Sequence, residues 1–442
     1  MNGIKRFFLS RSTILSGIIL AVGAMLVGSV IPQAILLTPS GLKKWHADYP
    51  WLAPQAERLG LTHLYVHPAF ALIIALAFIS LLLSCIEQVK AAWQRTFGAA
   101  PLSGGPSEFK TAAAEAEIAR VLRGAGYLRI GGGAPQRYLR HPWGLWGNCL
   151  LHVGMVVVIA ASLWIALTQQ RGMLQLSEGE VYRPDQRWTS SETGLLAPAF
   201  TLEESVRLEK LSYDYWPAYG VKTLTSSITF LRGAAPVAER LVEINSILSY
   251  RSLRVYQSND FGHAFYLEVT GPAGKKQLVQ LLINHQERPE LPAYNVFPDL
   301  LGGGDTLRAK YWVDDRKLSL ARESPLLVLR IDQAGREQGQ LPLKLGETGS
   351  IGPYQFRLVK IARWGSLIFV RLAGMEGIFF GFAIIILGGT LNYFTPPREV
   401  AVRRDPAGGA TLTWRALKFS GFYQDEYHFL KQSLGGEPSR DE

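Results

Sequence analysis

Four long windows nearly devoid of charge constrain this chain more than any other feature. Asp, Glu, Lys and Arg are absent from residues 13–37, 68–86 and 146–168, and residues 372–394 hold only Glu376. At about 1.5 Å of rise per residue, each window is close to the roughly 20 residues that carry a helix across about 30 Å of hydrocarbon. Four transmembrane helices are expected. Four buried helices of a soluble core are the alternative, and they leave the membrane-length windows unexplained. Lys5, Arg6 and Arg11 ahead of the first window would also suit a signal peptide, but the apolar stretch is too long and Ile31-Pro32-Gln33-Ala34 makes a poor cleavage site. The first window reads as an anchor.

The formal net charge of +10 is spread unevenly. Lys5, Arg6 and Arg11 precede the first window. Lys90, Arg95, Lys110, Arg120, Arg123, Arg129, Arg137 and Arg140 lie between the second and third, and Arg398, Arg403 and Arg404 follow the fourth. Basic residues beside short loops mark the cytoplasmic side. The expected order is therefore a cytoplasmic N-terminus (1–12), a first span (13–37), an outer loop (38–67), a second span (68–86) and a cytoplasmic loop (87–145). A third span (146–168), an extracytoplasmic domain (169–371), a fourth span (372–394) and a cytoplasmic tail (395–442) complete it. The location implied is a bacterial-type cytoplasmic membrane with the large domain outside. Basic charge is accounted for by topology, so nucleic-acid binding is not needed to explain it.

Within 169–371 the long apolar runs give way to short alternating ones: 255–258, 265–269, 278–283, 326–331 and 354–361. Period-two alternation with β-branched and aromatic residues, broken by turns such as Gly271-Pro272 and Gly302 to Asp305, predicts an antiparallel β-rich domain, a sandwich or barrel-like fold. The fold class is thus membrane α plus β. The outer domain has no cysteine, since Cys85 and Cys149 both fall near cytoplasmic helix ends, so it folds without disulfides. No Cys-x-x-Cys motif occurs in the chain.

The outer loop carries Trp45, Tyr49, Trp51 and Tyr65, rings suited to the headgroup zone of membrane lipid. Pro101 to Ser107 reads as a linker, Ser107 to Arg123 as a helix stopped by Gly124 and Gly126, and the Gly131 to Gly133 triplet as no phosphate loop, because no Lys-Ser/Thr pair follows it. The last window places Gly374, Gly377, Gly381 and Gly388 along one face, a surface for close helix packing. The tail, with Tyr423, Tyr427, His428 and Phe429, reads as a short helix without assignable chemistry.

His152 stands about six residues into the third span. A polar group there needs a partner, and Asn148 and Cys149, one turn earlier, extend the polar stripe. Both a helix–helix hydrogen bond and a metal-ligand role remain open. His67, at the outer end of the second span, and His63 can be satisfied at the interface. His46, His141, His263, His285 and His428 show no ligand spacing.

Three stretches in this order are similar to the ResB family of cytochrome c biogenesis proteins: Leu59-Gly60-Leu61-Thr62 with Tyr65 and Leu83-Ser84-Cys85; His152-Val153-Gly154 with Gly172 and Ser177-Glu178-Gly179-Glu180; and Glu243-Ile244-Asn245, Tyr250 and Val255-Tyr256-Gln257-Ser258. The resemblance extends from about residue 10 to about 404. It implies a subunit, non-catalytic alone, that works with a CcsA/ResC-type membrane partner to move haem b across the bilayer and present it to apocytochrome c. The tryptophan-rich haem motif belongs to that partner; Trp143-Gly144-Leu145-Trp146 here starts similarly but on the cytoplasmic side. Under this resemblance His152 becomes an axial haem ligand with Asn148 behind it, and His67 a weaker candidate. At about 1.5 Å per residue the two histidines differ in depth by roughly 20 Å, so they cannot share one iron. Asn245, Tyr256 and Gln257 are either sheet and turn residues or a docking surface. Two other functions stay open: a scaffold that stabilises the partner without touching haem, and a sensor or transporter accessory.

Overall fold

A computed structural model describes residues 3–438 apart from Thr38, 99–101, 103–106, 132–134, Ala273, Asp299, Gly303, 334–335, 406–407 and Gly436. Most of the 101–107 linker and of the glycine triplet therefore lies outside the described residues. Four helices are long and apolar enough to span a membrane: Arg11–Leu36, Pro68–Phe97, Pro142–Thr168 and Met375–Phe394. The chain is a membrane protein. It divides into two compact units, one of residues 1–25, 68–165 and 374–442, the other of residues 26–67 and 166–373.

In the first unit the third and fourth spans meet through glycine. A methyl group built on Gly154 would lie 2.7 Å from the Gly381 carbonyl oxygen, and one on Gly388 would lie 2.6 Å from the Leu151 amide nitrogen. Without a hydrophobic driving force in lipid, helices gain from such close backbone approach. Small residues on both helices permit it.

The loop before the third span and the tail after the fourth build one domain, which the linear reading treats as a loop and a separate tail. Their strands form an antiparallel sheet in the order Leu128–Ile130, Gln136–Arg140, Arg398–Arg404, Ala410–Ala416, Ser107–Thr111 and Glu437–Pro438. Helices Glu115–Gly124 and Gln424–Ser433 add Ile118, Leu122, Tyr427 and Leu430 to a core with Phe109, Tyr127, Tyr138 and Trp414. Ser107–Thr111, expected to begin a helix, is instead a strand, because its register partners at 410–414 come from a segment some 300 positions away. Tertiary pairing overrode a local helical pattern.

A buried ion pair ties this domain to the end of the second span. Arg137 Nε donates to Glu399 Oε1 at 2.5 Å, and the two side chains are 7% and 1% exposed. Arg137 also donates through Nη1 to the Gly98 carbonyl and through Nη2 to the Arg95 carbonyl at 3.1 Å, capping the helix C-terminus. Glu399 Oε2 accepts from the Leu102 amide at 2.6 Å. Replacing Arg137 by leucine strands a buried carboxylate, and breaking such a pair costs about 3–5 kcal/mol. Arg137→Leu is expected to unfold well below the wild-type temperature in detergent, with Arg137→Leu/Glu399→Leu recovering much of the loss. A single variant that melts with the wild type would show the pair to be dispensable.

The second unit is antiparallel β and closes no barrel. A seven-stranded sheet is organised on two 18-residue strands, Leu253–Thr270 and Tyr354–Arg371, flanked by Gln170–Ser177, Ser190–Thr193, Leu248–Tyr250, Lys276–Asn284 and Thr348–Ile351. The pairing of the two long strands slips between Gln257 and Phe261. Such an irregularity bends a strand, and the two halves serve different cores. One half packs with the sheet Val181–Tyr182, Ser205–Tyr215, Val221–Arg232 and Ala235–Glu243 around Val206, Leu208, Ile228, Val255 and Phe369. The other packs with the sheet Ala293–Phe297, Asp305–Trp312, Leu326–Gln333 and Arg336–Leu343 around Phe265, Leu281, Leu307, Leu329 and Phe356. Two sandwiches thus share one central sheet.

The loop after the first span belongs to this unit and folds as short helices, Pro39–Asp48, Ala53–Arg58 and Leu61–Val66. Trp45, expected at the headgroups, is buried with Ile31, Ala53 and Ala56, whereas Trp51 is exposed. Only part of the aromatic set is free to meet lipid.

Candidate functional site

The helix Gly147–Thr168 begins directly after the short 3-10 turn Pro142–Trp146. Its polar stripe is thereby set near the start of the span. At about 100° per residue, the glycine face that meets the fourth span points away from His152. Asn148 Nδ2 donates to Gln88 Oε1 of the second span at 2.8 Å. The stripe therefore faces the second span at Asn148, and His152 follows one turn later on the same side.

His152 Nδ1 lies 2.9 Å from the main-chain carbonyl oxygen of Asn148. A carbonyl only accepts, so Nδ1 carries the proton and donates. In the neutral form of the ring the lone pair is then on Nε2, and no hydrogen bond of the described residues uses that atom. Metal-binding histidines are commonly held this way, with the other nitrogen donating to a backbone carbonyl. The expected role of Asn148 changes in one respect: its peptide oxygen orients the ring, while its side chain is committed to Gln88. The linear reading missed Gln88 because it lies outside the apolar window, beside Glu87.

His152 is only half-buried within this chain. An imidazole in a lipid-spanning segment is costly unless something covers it.

His67 is placed elsewhere. It precedes the second span, and its ring packs on Gly60: a methyl group there would lie 2.8 Å from His67 Cδ2. Gly60 also has φ of +67°, where side chains are strained, so glycine is needed twice over. His63 Nδ1 lies 3.4 Å from Glu192 Oε1, and the carboxylate holds its pKa above the ordinary histidine value. His263 is fully enclosed in the β unit, with Nδ1 3.1 Å from the Tyr311 hydroxyl, and burial pushes its pKa down to about 4. Among the described residues no group of three or more His, Cys, Asp or Glu could hold a metal ion.

Asn245, Tyr256 and Gln257 do not form one surface. Asn245 is exposed in a turn with φ of +61°, a conformation asparagine tolerates. Tyr256 is half-buried on the 253–270 strand. Gln257 is 8% exposed and knots the central sheet to its neighbour: Ser226 Oγ lies 2.5 Å from its Oε1, and its Nε2 donates to the Ser258 and Ser366 carbonyls. Of the two roles considered, Gln257 takes the sheet-packing one, while Asn245 is exposed and Tyr256 half-buried. Other residues of the stretches similar to the ResB family also act as ties. Glu178 Oε1 accepts from the Leu211 amide at 2.9 Å, and Glu180 Oε2 accepts from the Ser177 amide at 2.9 Å.

Four spans and a β-rich unit between the third and fourth define a multi-pass membrane protein with a large β portion. The model of the ResB-like family matches residues 12–420, and the chain belongs to that family. Among curated relatives it is similar to a protein named cytochrome c biogenesis protein CcsB from Synechococcus sp. (strain CC9605), 23% identical over 407 residues that cover 86% of this chain and 85% of the relative. The proteins of the same name from Synechococcus sp. (strain CC9311) and Nostoc sp. (strain PCC 7120 / SAG 25.82 / UTEX 2576) are 26% and 21% identical over 262 and 259 residues. Those two matches cover 59% and 58% of this chain and 54% and 53% of the relatives, about half the length of each.

Proposed function

We propose that this chain is a subunit of a cytochrome c assembly machine: it helps carry haem across the membrane and, with a CcsA/ResC-type partner, presents it to apocytochrome c. The observation that carries the reading is the His152 ring, held by the Asn148 carbonyl through Nδ1 with Nε2 unengaged. A neutral imidazole nitrogen with its lone pair exposed suits haem iron. Haem is here the cargo, and the second axial ligand comes from the partner, because the half-exposed ring leaves an open side. Family membership and the names of the relatives support the assignment.

In this reading the termini and the small domain are cytoplasmic and the two-sandwich unit is extracytoplasmic, as the basic residues indicate. Asn245 and Tyr256 remain available there to the partner or to apocytochrome c. The chain has no Cys-x-x-Cys, so a separate protein keeps the cytochrome thiols reduced. Deleting the gene is expected to abolish covalent haem staining of c-type cytochromes on denaturing gels, with haem synthesis intact. Normal staining in the deletion strain would overturn the assignment in favour of a sensor or transporter accessory.

A further inference from the structure

The small α+β domain carries an apolar projection that the proposed function leaves unused. Phe419 and Phe422 are 53% and 84% exposed, on either side of Ser420 and Gly421 in the 3-10 turn Ser420–Tyr423. Phe419 has φ of +54°. A bulky residue in the left-handed region is an outlier, and such strain concentrates where a surface has a task. The turn is one-sided, since Tyr423 points inward and stacks with the Arg398 guanidinium 4.3 Å from its ring centre. The two phenylalanines are the exposed large apolar side chains of this turn.

Their depth is set by the residue before them. Lys418 Nζ donates to Asn392 Oδ1 at 2.9 Å and lies 4.9 Å from the centre of the Tyr393 ring. Asn392 and Tyr393 belong to the last turn of the fourth span, Met375–Phe394. The turn is therefore pinned within one lysine side chain of the place where that span leaves the hydrocarbon. Tyr393 and Phe394 are themselves 61% and 80% exposed, as expected for rings at a lipid interface. Phe419 follows Lys418 directly in the chain, and Lys418 places a cation beside the span end, where anionic headgroups lie.

We infer that Phe419 and Phe422 form a wedge inserted into the leaflet on the side of the small domain, so that this domain lies on the bilayer. The occupant of the surface is lipid, because Lys418 ties the turn to the last turn of a spanning helix and flanks it with a cation. Amphipathic segments of this type bury their apolar face about 5–10 Å into the headgroup and acyl boundary. The wedge would fix the domain, and through Arg137 and Glu399 the end of the second span.

The test uses the full chain in nanodiscs containing anionic lipid, with Cys85 and Cys149 replaced by alanine and a nitroxide attached at Phe419→Cys, Phe422→Cys or, as a control, Asp425→Cys. At positions 419 and 422 the label is expected to collide with oxygen several-fold more, relative to a water-soluble nickel complex, than at 425. Phe422→Cys suffices if Phe419→Cys fails to fold, because the neighbouring Gly421 stands in open space. High nickel accessibility at both sites would place the turn in water and overturn the inference. An immobilised label that neither reagent reaches would show a protein, such as a second copy, on the patch and overturn it equally.

Discussion

Replacing His152 by alanine is expected to strip most of the haem from the purified complex of this chain with its partner and to stop cytochrome c maturation in cells. Removing even a hydrogen-bonding neighbour of a metal ligand costs about 10–100-fold in affinity, so losing the ligand itself should cost at least tenfold. The ring is only half-buried, so its removal leaves no enclosed cavity and the fold should survive. Added imidazole can enter the vacancy and should restore part of the haem and its low-spin spectrum. That rescue separates a ligand from a packing residue, because imidazole in solution does not repair a helix contact. Full haem with an unchanged spectrum in His152→Ala would make His152 a helix–helix hydrogen-bonding residue, and the chain a scaffold with respect to haem.

Asn148 supplies an internal comparison. Its carbonyl, not its amide, holds the imidazole, so Asn148→Ala should leave the ring orientation and the haem spectrum nearly intact. What that change removes is the bond to Gln88.

The second large effect is expected from Gly388→Leu. A first side-chain carbon there would lie 2.6 Å from the Leu151 amide nitrogen and 2.8 Å from the Gly147 carbonyl oxygen. Backbone cannot move aside as a flexible side chain does, so the third and fourth spans must separate. Gly389→Leu is the matched control, since its nearest contact is a leucine methyl at 3.9 Å. Leucine is favoured over glycine in a helix by about 1 kcal/mol, so Gly389→Leu should be neutral or slightly stabilising. Overpacking costs about 1–3 kcal/mol or more, so Gly388→Leu should melt markedly lower in detergent. If the two variants melt together, the helices are not in glycine contact. Because His152 lies on the helix so displaced, Gly388→Leu should also lower haem retention.

The four spans, the β character of the stretch between the third and fourth, and the glycine face of the last helix were all legible in the chain. Each rests on a short-range regularity: a run long enough for the bilayer, a period of two, a spacing of three, four and seven. His152 was also legible, because a polar side chain amid apolar ones needs no neighbour to be conspicuous. That residues 107–140 and 398–438 form one domain rests on long-range pairing, since strand 107–111 pairs with 410–414, some 300 positions away. Local propensity pointed Ser107 to Arg123 toward helix, and no short window contains the strand that overruled it. Burial likewise moved Gln257 from a possible surface to the seam between two sheets. The identity of the atom that orients His152 was equally out of reach, because a linear pattern shows which residues lie a turn apart but not whether a side chain or a peptide oxygen fills the gap.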